Sequence, residues 1–180
     1  MLSFQYFIYL FKIYPMDENW ETQLQSIWLK LGTISDEEFI QQIENHVELL
    51  TITVYQAIAD FERACAFDST GHEKKAEPLY RSALDKGLTG LRRRRARIQL
   101  ASTLRNNGKT EESIRILREE KVNYSDELND AVDSFLALSL SSAGMYEEAL
   151  SLTLKAISHH LPRYSQSVYR YANALYKELP

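Results

Sequence analysis

The chain has 180 residues, 44% of them hydrophobic and 26% charged, with a formal net charge of -4. That length supports a sizeable core, and that balance excludes a disordered chain. The mild acidity gives no basis for strong DNA affinity or charge-driven membrane recruitment.

Six glycines and four prolines leave little room for loops. With no period-two run bounded by turn residues, the chain is expected to be all-α. The single cysteine, Cys65, excludes an intramolecular disulfide and suits a reducing, cytoplasmic setting.

The first element in chain order is MLSFQYFIYLFKIYP, residues 1–15. It is apolar and aromatic, yet shorter than the roughly 20 apolar residues of a membrane-spanning helix. It also lacks the basic start and small-residue cleavage site of a secretory signal. Composition changes at Met16, so residues 1–15 are set apart from the fold, as a poorly packed stretch or a start-site artefact, with docking on another surface as the alternative. Residues 16–51 follow as an acidic helical leader, with eight acids against one base, Lys30. Within it, Ser35 three residues before Glu38 forms a capping box. Phe39, Ile40, Ile43, Val47 and Leu50 make the apolar stripe of the helix it opens. The β-branched run from Thr51 to Val54 is expected to break the chain before the next helix.

Residues 52–180 carry an internal repeat. Gly71, Gly108 and Gly144 are spaced by 37 and 36 residues, with matching neighbours. Seven before each stand Ala64, Ala101 and Ala137; four before stand Phe67, Leu104 and Leu140. Five after come Ala76, Ser113 and Ala149; eight after come Leu79, Ile116 and Leu152. Twelve after come Ala83 and Ala156, with Glu120 breaking the rule in the middle unit. This describes antiparallel helix pairs turning at a glycine, with small residues where the helices approach closely. Such pairs bury their apolar faces only by stacking, which makes the array a solenoid. Glu120, at a small-residue position, is expected at a frayed or displaced helix end near Asn123. Pro162 is expected to separate the last pair from a capping helix. Its inner stripe is Tyr164, Val168, Tyr171, Leu175 and Leu179, with Arg170, Asn173 and Lys177 outward.

The pattern resembles the tetratricopeptide repeat, whose helix pairs recur at about 34 residues. The spacing here is slightly longer, and the consensus tryptophan and helix-ending proline are mostly missing. FERACAFDSTGHEKKAEPLYRSALDKG and FLALSLSSAGMYEEALSLTLKAI are similar to a family of small bacterial tetratricopeptide-repeat proteins, from about residue 30 onward. The resemblance implies a right-handed α-solenoid of three helix pairs, with an amino-terminal helical leader and a carboxy-terminal capping helix.

The middle unit opens with LRRRRAR, five arginines in seven positions. Cations at a helix amino terminus oppose the macrodipole by a few tenths of a kcal/mol each. The run therefore implies compensation, by carboxylates or by an anionic ligand. Carboxylates are the favoured partners, from Glu44, Glu48, Glu62 or Asp68. No aromatics interleave with the arginines as stacking platforms for bases, so nucleic acid is disfavoured.

First helices line the concave side of such arrays. The candidate partner-binding groove is accordingly Phe61, Cys65, Arg94, Arg95, Gln99, Ser102, Arg105, Asn106 and Phe135. A clamp for a partner's terminal carboxylate needs cations on successive first helices, and only Arg95 would serve. No catalytic residue, cofactor or metal site is expected. His159 and His160 diverge on a helix, His46 and His72 have no ligand-spaced partners, and no histidine near Cys65 in sequence would activate it. GLTG lacks the length and lysine of a phosphate loop, and Glu147 and Glu148 look like a solvated helix start.

The expected function is a non-enzymatic protein–protein interaction scaffold, its partner a protein or peptide of acidic character. Tyr169 with Tyr176, and Tyr164 with Tyr171, suggest a homodimer through the carboxy-terminal end. The alternative is an RNA- or nucleotide-linked regulator using the Arg92–Arg97 patch.

Overall fold

Every regular element among the described residues is an α-helix, and the computed structural model describes residues 18–48, 50 and 53–176. The apolar segment 1–15, part of the Thr51–Val54 break, Lys177 and Leu179 lie outside them. The chain divides into two compact units, Met1–Leu49 and Leu50–Pro180.

In the first unit, α1 (Glu18–Trp28) packs on α2 (Asp36–Val47). Ser35 caps α2, its hydroxyl accepting from the Glu38 amide at 3.2 Å. The Glu38 carboxylate accepts instead from Gln42 at 3.1 Å, so one half of the capping box forms. Phe39, Ile43 and Val47 are buried as expected, while Ile40 is half-buried, and Leu50 falls outside this unit as the first residue of the second. His46 joins them, stacked on Trp20 at 4.6 Å between ring centroids.

The second unit is an α-solenoid of three helix pairs. They are α3 (Thr53–Ser69) with α4 (Glu73–Asp85), α5 (Gly90–Asn106) with α6 (Thr110–Asn123), and α7 (Asn129–Ser142) with α8 (Tyr146–Ser158). Helix α9 (Ser165–Leu175) follows and packs on α8. The turn glycine of each pair has φ between 73 and 80, where a side chain is strained. In each turn the amide after the glycine bonds a carbonyl five residues back, His72 to Phe67, Lys109 to Leu104 and Met145 to Leu140, at 2.8–2.9 Å. This is the Schellman closure. Helix α3 begins at Thr53, so the helix takes in the second half of the expected break.

The small residues of the repeat lie in the seams. Ala64, Ala76, Ala83, Ala101 and Ser113 have no exposed surface. Ser113 donates to the Ala101 carbonyl at 2.6 Å and meets the Ser139 hydroxyl at 2.8 Å, tying α5, α6 and α7 together. Ala101→Leu is expected to overpack this seam at a cost of about 1–3 kcal/mol, read as a lower melting temperature; an unchanged transition would sink the assigned register.

Outside the seams, ion pairs repeat along the second helices. Arg81 meets Glu112 at 2.9 Å and Arg118 meets Glu148 at 2.8 Å, the same two positions one pair apart. Glu148 is therefore not a solvated helix start but a buried carboxylate held by the preceding pair.

The terminal helix covers its neighbour with a different stripe from the expected one. Ala172 is buried, while Tyr164, Tyr171 and Leu175 are 75%, 62% and 43% exposed. Ser151 donates to the Ala172 carbonyl at 2.8 Å. An approach that close admits an alanine and excludes tyrosine rings.

Candidate functional site

The arginine run occupies the first two turns of α5, and four of its five members meet carboxylates. Arg92 pairs with Glu62 at 3.0 Å, Arg93 with Glu120 at 2.7 Å, and Arg97 with Glu119 at 2.6 Å and Glu120 at 2.9 Å. Arg94 is only 3% exposed. It bonds the Glu120 carboxylate at 2.9 Å, the Glu120 carbonyl at 2.8 Å, Asp126 at 3.2 Å and Asn129 at 3.3 Å. The Tyr124 ring lies 4.3 Å from Arg93 and 5.5 Å from Arg94.

Glu120 is thus no frayed end but the buried hub of the cluster, 1% exposed and inside α6. Burial pushes its carboxyl up, and the guanidinium groups of Arg93, Arg94 and Arg97 outweigh that and hold it below the usual carboxylate range. Glu62 is among the expected partners; the larger share comes from Glu119, Glu120 and Asp126, across the same helix pair and the connection that follows it.

The groove candidates separate by position within the repeat. Arg95 and Gln99 stand 13 and nine residues before Gly108, but Phe61 stands ten before Gly71. Phe61 therefore matches Ile98 on the packing face, and both are buried, at 0% and 4% exposed. Arg94 likewise matches Ala57 and points inward. Cys65 is 1% exposed and donates to Gln99 at 3.5 Å. Phe61, Cys65 and Arg94 therefore offer a ligand almost no surface.

Arg95 and Asn106 are exposed, and Gln99, Ser102, Arg105 and Phe135 are half-buried. Asn106 donates to Glu73 at 3.3 Å and accepts from Arg105 at 3.0 Å. The Arg95 guanidinium lies 5.3 Å from the Phe61 ring, and among the described residues no carboxylate comes within ion-pair distance of it. Leu138, not anticipated from the sequence, is 47% exposed at the repeat position of Cys65 and Ser102. Aligning it on the glycines is the signal that finds it.

Beneath the groove, Tyr80 donates to Asp68 at 3.2 Å and Thr103 to the same carboxylate at 3.0 Å. Burial raises the Asp68 carboxyl above its usual value, against both hydrogen bonds. Burial also pushes the Cys65 thiol up to about 12, with Glu62 adding to the effect. Such a thiol stays protonated at neutral pH and is unsuited to nucleophilic work. Cys65 is expected to resist a thiol-specific chromogenic reagent in the native protein and react after denaturation; rapid native labelling would contradict its burial. Among the described residues no group of three potential ligands could hold a metal ion.

A family profile described as "Tetratrico peptide repeat" matches residues 57–175. The chain belongs to the tetratricopeptide-repeat family. Two crystal structures of putative kinesin light chain nearly identical TPR-like repeats from Podosopora anserina share its fold. One of them, a form carrying a single substitution, is 17% identical over 89% of each chain, with a TM-score of 0.66. The other is 18% identical over 87% of this chain and 86% of that one, with a TM-score of 0.65. No curated protein matches the chain. The tetratricopeptide repeat here is a scaffold of the kind generally used for protein interaction, and no helix among the described residues is long and apolar enough to cross a membrane.

Proposed function

We propose that this tetratricopeptide-repeat protein is a cytoplasmic, non-enzymatic adaptor. In this reading it binds an acidic protein or peptide segment along Arg95, Gln99, Ser102, Arg105 and Asn106, with Phe135 as the apolar neighbour. The observation that carries it is Arg95, exposed and without a carboxylate at ion-pair distance among the described residues, beside four arginines that have theirs. A cation held over an aromatic ring and open to solvent is suited to a carboxylate from outside. The resemblance to small bacterial members of the family belongs to the same reading.

The regulator of RNA or nucleotides loses its main support. Four guanidinium groups of the patch already meet Glu62, Glu119, Glu120 and Asp126, so little uncompensated charge is left for phosphates. Self-association through the carboxy-terminal end completes the reading, supported by the exposed tyrosines of α9.

The test is Arg95→Glu alone, because Arg94 is buried and its replacement would report on folding. Stability should stay within about 0.5 kcal/mol of wild type, while capture of acidic peptides from a displayed library is lost. Undiminished capture by the variant would refute the groove assignment.

A further inference from the structure

Asn107 is the only asparagine of the chain that precedes a glycine. Thr70 and Ala143 hold its place before Gly71 and Gly144. An asparagine in that setting is chemically fragile, because the next backbone nitrogen attacks the side-chain carbonyl carbon and a glycine puts no Cβ in the way. Gly108 is exposed, so water reaches the turn. Three features of the folded turn oppose the reaction. At Asn107 ψ is 5°, which eclipses the Gly108 nitrogen with the nitrogen of Asn107 itself. Ring closure needs it eclipsed with Cβ, a third of a turn away about the Cα–C bond. The Gly108 amide also donates to the Arg105 carbonyl at 3.0 Å, which engages the proton the nucleophile must lose.

The third feature holds the leaving amide. Asn107 Nδ2 donates to Glu77 Oε2 at 3.0 Å and to the Glu73 carbonyl at 3.4 Å. Both acceptors belong to α4, so this clasp ties the α5–α6 turn to the preceding helix pair. Lys109 and Arg81 fix the same Glu77 carboxylate, at 2.7 and 3.0 Å.

We propose that Asn107 is a deamidation site gated by this clasp, and that its products loosen the joint between the first two helix pairs. The inference is independent of the groove and of self-association. Reaction waits on local opening of the turn. The Gly108 nitrogen then bonds to Asn107 Cγ, its proton passes through water to the side-chain nitrogen, and ammonia departs. Water, the one co-reactant, opens the resulting cyclic imide at either carbonyl. One opening restores the ordinary backbone with an aspartate side chain. The other gives isoaspartate, whose main chain runs through the former side chain and is one carbon longer. Burial pushes the Glu77 carboxyl up, and hydrogen bonds from Lys109, Arg81 and Asn107 outweigh it and hold it below the usual range. Glu77 is therefore ionised at neutral pH, and either product sets a carboxylate against it where a donor stood. Isoaspartate also lengthens the loop closed by the Lys109 amide on the Leu104 carbonyl at 2.8 Å.

Prolonged incubation of the full chain at neutral pH, followed by digestion and peptide mass spectrometry, tests the proposal. The peptide spanning Asn107 should be the first to gain one mass unit, and should split into two chromatographic species. Denaturing the wild type in urea should speed this by about tenfold or more, because the closed turn is lost. Glu77→Ala, shown to be folded by circular dichroism, should deamidate about tenfold faster than the native wild type, the effect of removing one charge-assisted hydrogen bond from the closed turn. The comparison of folded and denatured wild type decides the gating even if that variant does not fold. Asn107→Asp, the stable counterpart of one product, should melt a few degrees below wild type. Another asparagine modified first, equal rates in the folded and denatured chain, or a folded Glu77→Ala that reacts no faster overturns the proposal. An unchanged melting temperature for Asn107→Asp overturns the loosening of the joint.

Discussion

Replacing Glu120 with alanine is expected to destabilise the protein by about 3–5 kcal/mol, because it leaves the buried Arg94 guanidinium without its carboxylate. For a chain of this size that corresponds to a fall in melting temperature on the order of 10 °C. Arg94 is 3% exposed and cannot reach solvent without opening the seam between α5 and α6. Arg93 and Arg97, 24% and 19% exposed, need smaller movements. Glu120→Gln should fall between alanine and wild type, keeping an acceptor oxygen and losing the charge.

The pH dependence has a definite sign. The Glu120 carboxyl is held below its unfolded value by the three arginines, which outweigh burial. Its stabilisation is therefore complete above the ordinary glutamate range and disappears as pH falls through the depressed folded value. The wild type should lose stability on acidification more steeply than Glu120→Gln over that interval. Parallel stability–pH curves, or an alanine variant that melts within a degree or two of wild type, would remove Glu120 from its place as hub.

Much of this architecture is legible in the sequence because it is periodic. Gly71, Gly108 and Gly144 mark turns that only a left-handed residue closes without strain, and the alanines at fixed distances mark seams too narrow for larger side chains. The two anomalies of the middle unit are legible too, one by one: arginines against a helix dipole, and a glutamate at an alanine position. They are a single feature, and the turn is what joins them. Antiparallel helices bring together residues at similar distances on either side of Gly108, and Arg94 and Glu120 stand 14 before and 12 after it. The arginines also lie where the last turn of α6 presents its unpaired carbonyls, and Arg94 bonds one of them.

Other positions resist such arithmetic. Periodicity finds a stripe but leaves its phase open when several faces are apolar, as on α9, where Ala172 takes the inner place instead of Tyr171. The burial of His46 depends on Trp20, a stacking partner in another helix. Phe61 was separable in principle, since its distance from Gly71 differs from those of Arg95 and Gln99 from Gly108.

The double variant Arg94→Met, Glu120→Ala is expected to recover most of what Glu120→Ala loses, a gain of about 2–4 kcal/mol over the single variant. The repeat itself supplies the reason. Ala83 and Ala156 hold the position of Glu120, and Ala57 holds that of Arg94, so an apolar pair is compatible with this seam. Removing both charges removes the desolvation cost of each, whereas removing one exposes that cost in full. Arg93 and Arg97 can then turn outward along their flexible stems and keep their heads in water. Asp126 loses its partner Arg94, yet it is the more exposed member of that pair, at 27%, and water can replace the guanidinium. A double-mutant cycle by chemical denaturation gives the coupling directly. Strong coupling would show that Glu120 is retained as the counter-charge of the arginines. Additive losses would mean that Glu120 supports the seam through contacts other than Arg94, and the hub would have to be sought in Arg93 and Arg97.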